Sequence, residues 1–309
     1  MTIDRFARRF LDLTNASLRS RTDEPTVAEM RAGVEALAAF ADTAGGAKVD
    51  VREAVIDDAI PIRIYSPPAI AAASALPGLI YFHGGGWLAG GLRSHDGICR
   101  ALAASSLCRI IAVGYRLAPE HRFPAGLEDC TRAVARIAAQ PTRFGLDPRR
   151  IGVAGDSAGG NLAVVVCQHA RARGLPIALQ LLLCPVMDAL GRTPSRRALG
   201  AGYFLEERTL IRYWENYRID GLDADDPQAS PSQAADFRDL PPALIHTAQY
   251  DPLNDEGALY ADALARAGVA VRHREHPGMI HHFYGLSGAI PYAAGALEMI
   301  GAEIRDAFA

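Results

Sequence analysis

The chain reads Ile151-Gly152-Val153-Ala154-Gly155-Asp156-Ser157-Ala158-Gly159-Gly160 at the position that decides its fold. The apolar residues at the start predict a buried strand, and the Gly-x-Ser-x-Gly pattern after them is typical of a nucleophile elbow. In such an elbow a strand turns into a helix within a few residues, which exposes the serine and leaves no room for neighbouring Cβ atoms. We therefore expect Ser157 to be a nucleophile and a helix to begin at Ala158. The competing interpretation is a glycine-rich turn with an incidental serine.

Strand-like and helix-like segments alternate from about residue 49, which is typical of an α/β protein whose mostly parallel central sheet is covered by helices on both faces. The predicted strands are Val49–Ile56, Ile60–Tyr65, Leu79–Phe82, Arg109–Val113, Ile151–Ala154, Leu179–Cys184, Ala243–Gln249 and Val269–Arg274. The predicted helices lie near 95–105, 125–139, 158–173, 255–267 and 292–307. The first two strands are expected to form an antiparallel pair.

The first 45 residues fall outside this alternation and are predicted to be helical. One apolar stripe is formed by Ile3, Phe6, Phe10 and Leu13. Further on, Thr26 and Glu29 have the spacing of a capping box at the start of a second helix.

A second segment outside the alternation is an insertion at about 190–225. It contains a predicted helix, Tyr203–Arg218, in which Leu210, Trp214 and Tyr217 recur at helical spacing and favour packing over a substrate wall. We expect a single domain over 1–309, with a core of about 46–189 and 226–309. The segments 1–45 and 190–225 would form a lid over the carboxyl edge of the sheet, where open α/β sheets bind ligands.

Composition narrows the classes of function. The 32 basic and 35 acidic residues give a formal net charge of -3, so there is no electrostatic footprint for nucleic acid or an anionic membrane. No apolar stretch reaches the ~18 residues of a membrane span, and the N-terminus lacks the apolar region of a signal peptide. The five cysteines show no Cys-x-x-Cys pattern and suit small buried side chains in a reducing compartment. We expect a soluble, cytoplasmic protein that acts on a small molecule.

A serine hydroxyl is a weak nucleophile at neutral pH and requires a base that a carboxylate orients. In hydrolases built on this type of sheet, the acid and then the histidine follow the serine along the chain. Asp251 follows the predicted strand Ala243–Gln249, and His281 lies in the loop after Val269–Arg274. His282 is adjacent, and the residues alone do not decide which imidazole is the base.

Other polar residues near these motifs are predicted to have structural roles. Asp255 and Glu256 are alternative acids, but both fall where a helix is predicted to begin, so a capping role is favoured. Asp156 is expected to brace the elbow. Tyr115 and Arg116 are expected to form a buried structural pair.

The segment His83-Gly84-Gly85-Gly86-Trp87 follows the predicted strand Leu79–Phe82. Its backbone amides can face the alkoxide that develops opposite Ser157, and glycine permits a close backbone approach. The segment therefore predicts an oxyanion hole; the alternative is a flexible glycine turn.

These motifs resemble those of the hormone-sensitive-lipase-like group of α/β-hydrolases, which includes the bacterial family IV esterases. The resemblance spans most of the chain and rests on His83–Trp87, Tyr115–His121, Gly155–Leu162, Asp251–Glu256 and Gly278–Phe283, in the family's order. It implies an α/β-hydrolase fold with a helical cap, Ser157 as nucleophile, Asp251 as acid, His281 as base, and an oxyanion hole formed by the amides of Gly85, Gly86 and Ala158. Members usually have glycine after the catalytic histidine, where this chain has His282.

The motifs and the resemblance predict a serine carboxylesterase that hydrolyses short to medium acyl esters through an acyl-enzyme, without a cofactor. The alternatives are an amide or peptide hydrolase on the same triad and a non-catalytic ligand receptor of the same fold. A metal site is not expected, because His273 and His276 would point to opposite faces of a strand and no His-Glu-x-x-His helix is present. The expected partner is a small-molecule ester. The sequence leaves the oligomeric state open, a homodimer included.

Overall fold

The computed structural model describes residues 2–19, 24–40, 49–67 and 75–309, so residues 20–23 and 41–45 of the predicted cap lie outside the described part. The strands are β1 (Asp50–Ile56), β2 (Ile60–Ser66), β3 (Leu76–Phe82), β4 (Arg109–Val113), β5 (Leu146–Asp156), β6 (Gln180–Leu183), β7 (Ala243–Tyr250) and β8 (Val271–Ile280). The α-helices are α1 (Arg5–Arg19), α2 (Val27–Leu37), α3 (Asp96–Ser106), α4 (Ala125–Ala139), α5 (Ala158–Ala172), α6 (Pro194–Leu199), α7 (Glu207–Tyr217), α8 (Asn254–Arg266) and α9 (Tyr292–Phe308).

Within these described ranges, the eight strands form one sheet in the order β1-β2-β4-β3-β5-β6-β7-β8. β2 is antiparallel to both β1 and β4, and the remaining neighbours are parallel. The carboxyl ends of the parallel strands meet at one edge, where Phe82 pairs with Gly155 and Asp156 pairs with Leu183. The predicted fold class, a mostly parallel sheet covered by helices, is confirmed.

Each face of the sheet has its own apolar core, because successive side chains of a strand point to opposite faces. On β3, Ile80 and Phe82 pack with residues of α4, α5 and α8. Leu79 and Tyr81 pack on the other face with residues of α1, α3 and α9. Burial on both faces explains why the parallel strands are nearly continuous apolar runs. The five cysteines are buried free thiols.

The N-terminal helices form as predicted, but the buried face of α1 differs. Ala7, Phe10 and Leu11 are buried, whereas Leu13 is 66% exposed, so the expectation that Leu13 belongs to the packed stripe is wrong. At 100° per residue, Leu13 lies on the far side of Phe10 from Leu11 and turns away from the sheet. The capping box of Thr26 and Glu29 at the start of α2 is present.

The predicted helix of the insertion forms as α7, which is shorter than predicted at both ends, and a further short helix, α6, precedes it. Leu210 and Tyr217 of α7 are buried, and the Tyr217 ring stacks on Trp87 with centroids 4.5 Å apart. This contact joins the insertion to the glycine-rich loop after β3. In the part of the chain that the structure describes, no helix is both long and apolar enough to cross a membrane.

Candidate active site

Ser157 lies in the sharp turn between β5 and α5, and α5 begins at Ala158 as expected. The serine has a φ of 52° and a ψ of -120°, a strained conformation for a residue with a side chain. A Cβ atom on Gly155 would collide with the backbone of Gly159, and one on Gly159 would collide with the backbone of Phe82. The two glycines of the motif are therefore required by close backbone packing.

The structure brings together the three residues predicted to form a triad. His281 Nε2 lies 3.2 Å from Ser157 Oγ, and His281 Nδ1 lies 2.7 Å from Asp251 Oδ2. The second oxygen of Asp251 accepts the Leu253 amide at 2.8 Å. All three triad side chains are buried. The carboxylate can thus orient an imidazole that faces the serine hydroxyl.

His281 is delivered to the site by a strand that is longer than predicted. β8 continues past Arg274 to Ile280. Its pairing with β7 shifts register between His276 and Ile280, a stretch that contains Pro277, which has no amide hydrogen to donate. The neighbouring Gly278 amide donates to Gln249 Oε1 at 2.8 Å. His281 therefore follows directly from the sheet.

His282 points away from the serine. Its backbone is left-handed, with a φ of 59° and a ψ of 16°, and its Nδ1 lies 3.6 Å from Asp156 Oδ2. Of the two adjacent imidazoles, only His281 lies between Ser157 and Asp251. The left-handed backbone suits glycine and is tolerated by histidine at a cost of roughly 1 kcal/mol.

The loop after β3 presents backbone amides to the pocket beside the elbow. Gly85 and Gly86 have φ values of 113° and 62°, a region that favours glycine. Among the residues that the structure describes, the amides of Gly85, Gly86 and Ala158 have no hydrogen-bond partner. One of these amides is the first of α5, where the helix dipole favours negative charge. Such amides can stabilise an oxyanion.

Asp156 supports both the elbow and this loop. Its Oδ1 accepts the Tyr81 hydroxyl at 2.7 Å and the Gly84 amide at 2.9 Å, while its Oδ2 faces His95 Nε2 at 3.3 Å. Burial acts to raise the pKa of Asp156, but His95 and His282 hold it well below its usual range. Burial also lowers the pKa of His282. No local sequence motif marks His95 or Tyr81, so neither residue could be predicted from the sequence.

Tyr115 supports the loop from its other side. Its hydroxyl donates to the His83 carbonyl at 2.7 Å, and the two rings stack with centroids 4.2 Å apart. Burial lowers the pKa of His83 to about 3, so this ring is neutral at neutral pH. Arg116 instead pairs with Asp129 at 2.8 Å and keeps 40% of its side chain exposed. The expectation of a buried pair is therefore wrong for Arg116, whose guanidinium reaches solvent.

Asp255 and Glu256 lie in the first turn of α8 and do not reach the serine. Glu256 accepts the amides of Met187 and Asp188 at 2.7 and 3.0 Å. Asp255 accepts the Ser195 amide at 2.8 Å. The capping interpretation is corrected, because Asp255 binds a backbone amide of the insertion and Glu256 binds two amides of the loop between β6 and the insertion. Both carboxylates therefore fix these segments to the core.

A pocket of about 480 Å³ is lined by Ser157 and His281. It is covered by described residues of the N-terminal segment and by the insertion. Its apolar walls include Met30, Val34 and Leu37 from α2 and Phe204, Leu205 and Tyr213 from the insertion. The Tyr213 ring packs so closely on Gly86 that a Cβ there would collide with it. The helices α2 and α7 therefore shape the space above Ser157.

Two groups of side chains in the described ranges have ligand atoms close enough to share a metal ion. They are His95, Asp156 and His282, and Cys184, Asp251 and His281, with the atoms of each group within 4.8 Å of one another. Their members are far apart in sequence, so spacing could not indicate them. His273 and His276 do not converge: His273 contacts Thr247, and His276 contacts His246.

Comparison with known proteins identifies the family. A family model described as alpha/beta hydrolase fold matches residues 79–285, more than half of the chain. The chain belongs to the α/β-hydrolase fold family. This agrees with the resemblance to the hormone-sensitive-lipase-like group.

Relatives within this family are named as esterases. The chain is 41% identical over 242 residues to the carboxylesterase NlhH of Mycobacterium tuberculosis, covering 77% of this chain and 75% of that protein. It is 40% identical over 243 residues to the ethyl acetate hydrolase of Pseudomonas putida, covering 78% and 76%. Among solved structures, the ester-hydrolase EH1AB1 from the metagenome of Lake Arreo matches with a TM-score of 0.93 and 38% identity, covering 99% of each chain.

Proposed function

We propose that this protein is a serine carboxylesterase, with Ser157 as nucleophile, His281 as base and Asp251 as the triad acid. The observation that carries the proposal is the hydrogen-bonded sequence from Ser157 Oγ through the imidazole to the Asp251 carboxylate, at 3.2 and 2.7 Å. The names of the relatives support ester hydrolysis as the reaction class. The reaction uses no cofactor.

Acylation begins when Ser157 Oγ attacks the ester carbonyl carbon and its proton passes to His281 Nε2. Asp251 accepts a hydrogen bond from Nδ1 and stabilises the imidazolium that forms. The tetrahedral intermediate then collapses as His281 donates its proton to the alkoxide of the leaving alcohol. A water molecule deprotonated by the same imidazole attacks the acyl-enzyme, and the acid is released by the reverse proton transfer.

The negative charge of each tetrahedral intermediate falls on the carbonyl oxygen. We assign its stabilisation to the amides of Gly85, Gly86 and Ala158, which make no hydrogen bond in the described structure. In a buried site each such donor contributes about 10²-fold or more to the rate, because it acts on charge that appears in the transition state. Asp156 assists indirectly by holding the Gly84 amide.

We propose that α1, α2 and the insertion form the cap of a single domain and select the acyl group. The apolar walls from α2 and the insertion suit an alkyl chain, and a pocket of about 480 Å³ suits a short to medium ester. Charged residues such as Arg208 and Arg212 also line this pocket, but each pairs with a glutamate, Glu206 and Glu24 respectively. We therefore propose that the substrate is a neutral ester.

A chromogenic ester series from acetate to long acyl chains tests this function. Wild type is expected to favour short to medium chains, and an organophosphonate is expected to modify Ser157, as detected by peptide mass spectrometry. Ser157→Ala should lose both ester hydrolysis and labelling by the organophosphonate. More than ~1% residual kcat in that variant would contradict the assignment.

Matched ester and amide substrates separate the rival hydrolase function. Because the same triad can cleave either bond, the two kcat/KM values decide between them. We expect the ester to be cleaved faster by several orders of magnitude. A folded wild type that binds the organophosphonate reversibly and hydrolyses neither substrate would instead support a ligand receptor.

A further inference from the structure

A group of ligand atoms beside the triad takes no part in the proposed proton transfers. His95 Nε2 and His282 Nδ1 both face Asp156 Oδ2, at 3.3 and 3.6 Å, and all three side chains are buried. The three residues line the pocket that contains Ser157. We infer that His95, Asp156 and His282 form a binding site for a divalent transition-metal ion, best matched by Zn²⁺, and that the bound ion inhibits the enzyme.

The spacing of the ligand atoms fits a tetrahedral ion. Zinc-ligand bonds of about 2.0–2.1 Å place neighbouring ligand atoms roughly 3.3–3.4 Å apart. Two of the three separations in this group are 3.3 and 3.6 Å, and the two ring nitrogens lie within 4.8 Å of each other. Two imidazoles and one carboxylate favour zinc over magnesium or calcium, which prefer oxygen ligands alone. The fourth ligand would be a water molecule from the pocket.

The surrounding contacts orient these ligands. Ser94 Oγ lies 3.0 Å from the other ring nitrogen of His95, Nδ1. Tyr81 and Gly84 occupy Oδ1 of Asp156, which leaves Oδ2 for the ion. The Gly84 amide also donates to His95 Nε2 at 3.2 Å, a contact that the ion would replace. Such outer partners are typical of metal sites, because they fix the ring tautomer and the carboxylate rotamer. Without a metal, ring N–H groups can donate to Oδ2; the ion takes the place of those two protons.

Inhibition follows from the position of the site, and this part of the inference rests on the proposed function. The ligands Asp156 and His282 are the chain neighbours of Ser157 and His281, so an ion and its water would occupy the floor of the substrate pocket. Asp156 also accepts a hydrogen bond from the Gly84 amide, so a bound ion would be connected through Asp156 to the loop after β3 that carries the proposed oxyanion hole. Family members with glycine in place of His282 would lack one of the three ligands.

Zinc binding is tested directly on the full-length protein, by competition with a chromogenic chelator in a buffer that does not bind metals. His282→Gly and His95→Gln should each raise the Kd for Zn²⁺ at least about 100-fold. Glycine suits the left-handed backbone of residue 282, so folding is preserved in that variant. His273→Gln is the control, because it removes an exposed histidine outside the group, and its Kd should be unchanged.

The rival site is the group that contains Cys184, Asp251 and His281. Co²⁺ distinguishes the two, since a bound thiolate adds a near-ultraviolet charge-transfer band that a site with two histidines and an aspartate lacks. The expected spectrum has tetrahedral visible bands without the thiolate band, and it should persist in Cys184→Ser. The inference is overturned if wild type binds no Zn²⁺ saturably, or if Cys184→Ser abolishes binding while His282→Gly does not.

Ester hydrolysis during a Zn²⁺ titration tests the inhibitory role. Relative to its own metal-free rate, His282→Gly should require at least about 100-fold more Zn²⁺ than wild type for half-maximal inhibition. Saturable binding without inhibition would overturn the inhibitory role alone. If the metal-free protein hydrolyses no ester, the proposed function fails while the binding result stands.

Discussion

The Arg31 guanidinium donates from Nε to the carbonyl oxygen of Leu88 at 2.9 Å, which fastens helix α2 to the loop that carries Gly85 and Gly86. A second donation reaches the Ala118 carbonyl at 2.9 Å, and the same side chain pairs with Glu120. The position of the pocket wall on α2 is thereby coupled to the position of the proposed oxyanion hole. This contact could not be predicted from the sequence, since Arg31 lies in no motif.

The Arg31 contacts predict a change in chain-length preference. In Arg31→Ala, α2 loses its two carbonyl anchors, so KM for medium acyl esters should rise about tenfold while KM for acetate esters changes less. Arg31→Lys should fall between, because an ammonium cannot reproduce the forked donation of a guanidinium. Arg93→Ala is the control: its pairing with Glu35 spans 3.5 Å and is largely exposed. A uniform rise in KM for all esters would contradict the coupling.

The identity of the base is tested by two adjacent substitutions. His281→Ala should lower kcat about 10⁴-fold, since it removes the imidazole between Ser157 and Asp251. His282→Gly should retain turnover, with its main effect on KM or stability, because that ring faces Asp156. Both variants are compared by steady-state kinetics after thermal unfolding has verified their folds. The reverse ranking would identify His282 as the base.

The features that could be predicted from the sequence are those specified by short local patterns. The elbow is specified within ten residues, since an apolar strand, two glycines and an apolar helix determine where Ser157 lies. The carboxyl ends of parallel strands meet at one edge, so the order of Asp251 and His281 along the chain is enough to expect them near the serine.

Contacts between distant segments could not be predicted in this way. The exposed position of Leu13 depends on how α1 docks on the sheet, which helical periodicity does not define. The amides bound by Glu256 belong to a segment about 68 residues earlier, and in isolation an acidic residue in a first helical turn indicates capping. The group of His95, Asp156 and His282 likewise forms only when three segments that are distant in sequence meet.

The contact between Gly86 and Tyr213 predicts that kcat is sensitive to substitution of Gly86, in the loop after β3. Gly86→Ala should lower kcat at least tenfold, because its φ of 62° disfavours a side chain and its Cβ would collide with the tyrosine ring. Adding Tyr213→Ala relieves the collision but leaves the backbone strained, so kcat should recover only in part. Gly295→Ala, in an open position on α9, is the control and should be neutral or slightly stabilising. Full recovery in the double variant would show that backbone strain is unimportant here.

A second buried polar group lies between β7, β8 and α9. His276 is buried, with its Nε2 3.1 Å from His246 Nδ1 and its Nδ1 3.0 Å from the Tyr292 hydroxyl. Burial lowers the pKa of His276 to about 3, and the pKa of His246 is also lowered by burial. The other titratable groups that act on His276 are Arg274, Glu303 and His273.

This group predicts that acid destabilises the protein from about pH 6.5 downward. An unfolded histidine binds a proton near pH 6.5, whereas the folded protein keeps His276 neutral until about pH 3. The stabilisation is therefore present above pH 6.5 and is lost as the pH falls, at up to ~1.4 kcal/mol per pH unit for each excluded proton. Between pH 6 and 5, His276→Gln should reduce the slope of unfolding free energy against pH by about that amount, measured by urea denaturation. Glu303 does not obscure this window, because its pKa is lowered to about 2 and its own stabilisation is lost only below about pH 4.5. His121→Gln, which removes an exposed histidine, is the control and should leave the slope of unfolding free energy against pH unchanged. An equal slope in wild type and His276→Gln would show that the folded protein does not exclude a proton from His276.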